Sequence, residues 1–62
     1  MIPIGTRIGF YRGPASHLTT GVICAYDKAA LGYCVLLDEE YKKRFGWPTR
    51  CWVAANRVLA EL

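Results

Sequence analysis

No stretch of the 62 residues approaches the apolar run, about 18 or more residues, that a membrane-spanning helix needs. The start, "MIPIGTRIGF", lacks a basic segment leading into a long apolar one, so it does not read as a signal peptide. It moves directly into structured sequence, as expected of a complete small gene product. There is no Cys-x-x-Cys pair, and the three cysteines, Cys24, Cys34 and Cys51, make an odd count. Neither a closed disulfide framework nor a zinc site fits that pattern. Their apolar and aromatic neighbours suit buried, reduced thiols, and reduced thiols suit the cytoplasm. The one histidine, His17, adjoins Ser16, and adjacent strand residues point to opposite faces. That pair makes no nucleophile–base couple. "RGPASH" at 12–17 lacks the spacing and the Lys-Ser/Thr of a phosphate-binding loop. The acids Asp38, Glu39 and Glu40 are consecutive, which suits a solvated turn better than two carboxylates converging on one substrate atom. Internal repeats and low-complexity segments are also missing.

What the chain has in excess is apolar surface. Apolar residues make up 53% and charged residues 21%, against about 45–50% and about 25% in typical domains. A single domain over residues 1–62 is too small to hide all of this, since so short a chain buries only about 60% of its unfolded surface. The composition points to self-association or a stable partner. The formal charge is +3, from 8 Lys and Arg against 5 Asp and Glu. That is compatible with nucleic acid and short of a polybasic chain.

Glycine, proline and aspartate punctuate short runs of β-branched and aromatic residues. "TRIGFY" at 6–11 alternates, with Thr6, Ile8 and Phe10 on one side. "TTGVICAY" at 19–26 reads as a second strand, with Val22, Cys24 and Tyr26 on one face and Ile23 and Ala25 on the other. "GYCVLLD" is apolar on both faces and is expected inside the sheet. "TRCWVAA" reads as a fourth strand, with either Cys51 and Val53 or Trp52 inward. The tail "NRVLAEL" suits a 3₁₀ turn and a short last strand. Over 38–45 a turn or two of helix competes: Asp38 is placed to cap it, and Glu39 with Lys43 and Glu40 with Arg44 form i,i+4 pairs of favourable order. Short strands joined by turns predict a small all-β antiparallel barrel of about five strands, with a 3₁₀ turn near the C-terminus.

The order of these features resembles SH3-like barrels. "GTRIGFYRG" resembles a first strand entering a long loop, "TTGVICAYD" the strand after it, "GYCVLLD" the third strand, and "CWVAANRVLAEL" the closing strand, 3₁₀ turn and last strand. "VAANRV" is similar to the proline-alanine-asparagine-hydrophobic element that ends signalling SH3 domains. The Gly-x-Arg-hydrophobic start and the Gly-Tyr-hydrophobic strand are also similar to the plasmid-borne type II dihydrofolate reductases. Their pore-lining Gln-hydrophobic-Tyr triplet is replaced here by Arg50-Cys51-Trp52-Val53, so that resemblance does not carry the reductase activity over. The small SH3-like subunit of photosystem I has a similar Gly-x-x-hydrophobic start and Gly-x-Val strand. Fold alone supplies no function; SH3-like barrels bind peptides, methylated side chains, nucleic acids and partner subunits.

The stretch "YKKRFGWPTRCW", Tyr41 to Trp52, concentrates four cations and four rings in twelve residues without an acid. Cations meet phosphates and rings stack on unpaired bases. A small barrel also needs large rings in its core, which assigns Phe45 and Trp52 to packing. Tyr41, Lys42, Lys43, Arg44, Trp47 and Arg50, with Tyr11 from the first strand, remain as the expected ligand-binding set. The resulting expectation is a cytoplasmic, non-catalytic nucleic-acid-binding module that self-associates and uses no cofactor, metal or membrane. Two alternatives share the rings. One is a protein-binding groove of Tyr11, Trp47 and Tyr41 beside the acids at 38–40. The other is an aromatic cage for a cationic ligand. For a homo-oligomeric face the candidates are Tyr26, Tyr33 and Leu36.

Overall fold

The computed structural model describes residues 2–12 and 17–62, with His17 described in its backbone alone. The Gly13-Pro14 turn and the side chains of Ser16 and His17 lie outside the described residues. Five strands form one antiparallel sheet: β1 (Arg7–Arg12), β2 (His17–Asp27), β3 (Gly32–Leu37), β4 (Arg50–Ala54) and β5 (Val58–Glu61). A short helix, α1 (Glu39–Phe45), joins β3 to β4, and a 3₁₀ turn (Ala55–Arg57) joins β4 to β5. The expected all-β fold, with a 3₁₀ turn before the last strand, is therefore present. The strand order is β4-β3-β2-β1-β5, and the hydrogen-bond ladder stays open between β4 and β5.

Strand alternation sorts the side chains. Ile8 and Phe10 of β1, Ile23 of β2, Tyr33, Val35 and Leu37 of β3 and Val53 of β4 form the buried cluster. Each large side chain sealed in this way contributes about 1.5–3 kcal/mol of transfer free energy. The register explains the cluster, since Ile23 pairs with Val35, Tyr26 with Tyr33, and Tyr33 with Val53.

In β2 the simple two-residue period breaks. The register shifts between Ile23 and Ala25, so Cys24 and Ala25 together oppose Cys34. Such a bulge reverses the inward–outward phase of the strand beyond it. Ile23 is buried, Cys24 and Ala25 are exposed, and Tyr26 again packs on the core. The expected separation of Ile23 from Tyr26 onto opposite faces is thereby corrected, as is the expected burial of Cys24. Tyr33, expected on an oligomer face, is 3% exposed, and its hydroxyl accepts the Ile2 N–H at 3.1 Å. Leu36, on the opposite parity of the same strand, is exposed.

The helix over 38–45 forms, but its cap differs. Asp38 makes no side-chain bond to the helix N-terminus. The termini suit the helix dipole, with Glu39 and Glu40 in the first turn and Lys42, Lys43 and Arg44 in the last. Gly46 ends the helix in the left-handed region at φ 66°, and its N–H donates to the Lys42 carbonyl. That backbone state suits glycine because it has no Cβ.

Candidate functional site

Three rings meet where α1 turns back toward β4. Tyr41 and Phe45 lie one helical turn apart with centroids 6.4 Å from each other. The left-handed Gly46 then returns the chain, bringing Trp47 to 5.7 Å from Tyr41 and 4.6 Å from Phe45. Interplanar angles of 14–24° make this a stack. The Arg12 guanidinium sits 4.3 Å from the Trp47 centroid, and that of Arg44 lies 5.6 Å from Phe45. Trp47 is half-buried against the core. The near-parallel rings form no box, and the chain's own arginine takes the cation position over Trp47.

Tyr41 is fixed by a polar network beneath the stack. The Thr20 N–H donates to Tyr41 Oη at 3.2 Å, and the Thr20 hydroxyl donates to Asp38 Oδ2. With its one proton committed there, Thr20 Oγ1 accepts from the Tyr41 hydroxyl at 3.3 Å. Arg7 Nη2 donates to Asp38 Oδ2 at 2.6 Å and to Thr20 Oγ1 at 3.3 Å. Asp38 is thus drawn away from the helix end by Arg7 and Thr20. Among the described residues Arg7–Asp38 is the ion pair; the i,i+4 pairs of α1 are not closed.

The two rings assigned from sequence to opposite fates have exchanged places. Tyr41, expected at the ligand, is 8% exposed, while Trp52, expected in the core, is 54% exposed. The cause in β4 is parity. Cys51 opposes Val35 and Val53 opposes Tyr33 on the inner face, which sends Trp52 outward opposite Cys34. Its indole rests on the backbone of Gly32, where an added Cβ would come within 2.3 Å of the ring. Phe45, also assigned to the core, is exposed at the rim of the stack.

A groove of ≈ 600 Å³ runs along the open seam of the sheet, lined by residues 10–12 of β1, 51–54 of β4 and Arg57 of the 3₁₀ turn. Among the described residues that line it, the charged ones are Arg12 and Arg57, without an acid. Tyr11, one of its lining residues, is exposed. β1 and β4 lie far apart in sequence, so nothing local announces this groove; the basic residues that line it were outside the sequence-derived set. Of that set, Tyr11 reaches the groove. Trp47 stacks on Arg12 next to it. Lys42, Lys43 and Arg44 are exposed on α1, and Arg50 is exposed on the outer face of β4. Those four cations do not line the groove.

The thiols are divided between the two faces. Burial pushes the Cys51 thiol above the usual range, against the opposing effect of Arg12 and with a smaller contribution from Cys34. Cys34 is pushed up first by its hydrogen bond with Cys24, then by burial and the Cys24 charge, while Arg50 acts in the opposite sense. Among the described residues, no three His, Cys, Asp or Glu side chains converge as metal ligands, and no helix is long and apolar enough to cross a membrane. The chain matches no family model, no curated protein and no solved structure.

Proposed function

We propose that this chain is a small non-catalytic binding module of the SH3-like kind, acting in the cytoplasm on single-stranded nucleic acid. The observation that carries the reading is the groove lined by Arg12 and Arg57, without an acid among its described residues, and by the exposed rings of Tyr11 and Trp52. Guanidinium groups meet phosphates, and an exposed ring offers a base a stacking surface worth about 1–3 kcal/mol. Lys42, Lys43, Arg44 and Arg50 are exposed outside the groove, with Glu39 and Glu40 exposed on the same helix as the first three. Oligonucleotide titration at two salt concentrations tests the proposal, with Arg57→Ala and Trp52→Ala as the diagnostic variants.

A second reading, a protein partner or a second copy, draws on a different observation. Among the described residues β4 pairs with β3 alone, and an unpaired edge accepts an added strand. Leu18, Leu36, Leu59 and Leu62 are exposed as well. Sedimentation at tens of micromolar distinguishes a self-associating chain from a monomer of 7.0 kDa.

A further inference from the structure

The bulge in β2 does more than change strand phase. Where two residues oppose one, the extra residue is left without a ladder partner, and here that residue is Cys24, beside the Ala25–Cys34 pair. The shift turns Cys24 outward, onto the face that Cys34 and Trp52 share. The two cysteines are in direct contact: the Cys24 thiol donates to the Cys34 carbonyl oxygen at 3.2 Å. The Cys24 side chain thus reaches across the bulge to the residue a disulfide would join it to; such bridges span Cα atoms about 4.4–6.8 Å apart. Cys51 belongs to the opposite face, facing inward against Val35.

We propose that Cys24 and Cys34 are a thiol-modification site, closing to a reversible cross-strand disulfide on reaction with a small-molecule disulfide such as oxidised glutathione. Cys24 is the exposed sulfur and meets the oxidant. Its thiolate attacks one sulfur of the oxidant; the oxidant's S–S bond breaks, a mixed disulfide forms on Cys24, and one glutathione thiolate leaves. Cys34 then gives its proton to solvent and attacks the Cys24 sulfur, releasing the second glutathione. Two thiols are oxidised, one external disulfide is reduced to two thiols, and the chain loses two hydrogen atoms. Contact between the residues makes the second step intramolecular, which favours ring closure over a lasting adduct.

The raised Cys34 thiol sets the pH dependence of that second step. Once Cys24 is in the mixed disulfide its thiol hydrogen bond and charge no longer act on Cys34, so burial holds the Cys34 proton while Arg50, on the neighbouring strand, works against it. Ring closure therefore accelerates as pH rises through and beyond the ordinary thiol range. The bridge would lie next to Trp52, the register partner of Cys34, so closing it dims the indole emission of that ring.

The full reduced chain is incubated with oxidised glutathione, followed by intact mass, peptide mapping and alkylation of the remaining thiols. The expected product lacks two hydrogens, carries a Cys24–Cys34 link and retains one alkylatable thiol at Cys51. Cys51→Ser gives the same link. Cys24→Ser and Cys34→Ser, checked for native far-UV circular dichroism, lose the intramolecular product; Cys34→Ser stops at the glutathione adduct on Cys24. A link to Cys51, a chain-to-chain disulfide in place of the internal one, a lasting double adduct, or no reaction would overturn the proposal.

Discussion

The indole of Trp52 is seated on the bare backbone of Gly32, its diagonal neighbour across β4 and β3: a Cβ built on Gly32 would lie 2.3 Å from Cζ2 and 2.7 Å from Nε1 of the ring. This arrangement lets a large ring stay on the outer face with one side covered and 54% of its surface accessible. Gly32→Ala tests it. In an unobstructed strand, replacing glycine stabilises by about 0.5–1 kcal/mol. Here the overlap with the ring forces a shift, and overpacking costs about 1–3 kcal/mol. The overlap dominates, so urea unfolding should show net destabilisation, with Trp emission moving to longer wavelength as the ring is displaced. Unchanged emission together with higher stability would contradict the seating.

Removing one oxygen from Tyr41 should cost more than removing the ion pair beside it. Tyr41→Phe leaves the Thr20 N–H without the oxygen it bonds at 3.2 Å, and an unsatisfied, partly buried donor costs about 1–3 kcal/mol. Arg7 is half-exposed, so its pair with Asp38 is worth about 1 kcal/mol or less. Chemical denaturation of Tyr41→Phe and Arg7→Ala should rank them in that order. The reverse order would place the network's weight on Arg7.

Alkaline pH should weaken the fold through its thiols. Cys34 and Cys51 both hold their protons more tightly when folded. Below about pH 8.5, the ordinary thiol range, both states are protonated and contribute no difference. Above it the unfolded chain releases protons first, so stability falls with pH until the folded thiols also ionise. Cys51→Ala should flatten that decline in unfolding measurements made across the range. An unchanged slope would assign the effect to other groups.

The sheet was legible because period-2 alternation and turn residues are local signals. "TRIGFY", "GYCVLLD" and the tail all fall within a residue or two of β1, β3 and β5. The helix over 39–45 was legible from its charge order, though not its end: Asp38 is drawn to Arg7 and Thr20, partners distant in sequence. The exposure of Phe45 and Trp52 is not legible in the sequence for a related reason. Alternation establishes that Cys51 and Val53 share a face and Trp52 takes the other, but not which face is inside. That choice depends on Val35 and Tyr33 across the ladder and on Gly32 leaving room for an indole. The bulge at Cys24 likewise arises from pairing with β3, which makes the thiol contact invisible along β2 alone. The groove needs the free edge of β4 to meet the end of β1, and only the folded chain creates it.

Single-stranded nucleic acid is the ligand proposed for the seam groove. The most direct test is the anisotropy of a labelled single-stranded oligonucleotide titrated with the reduced chain at about 50 and about 200 mM salt, spanning a range where phosphate contacts weaken strongly. The expected result is binding that falls with salt by about 0.7 in log–log slope per phosphate neutralised. Arg57→Ala should make that slope shallower, and Trp52→Ala should lose about 1–3 kcal/mol without changing it. No binding at the lower salt, or binding indifferent to both salt and Arg57, would rule out nucleic acid as the ligand of the groove.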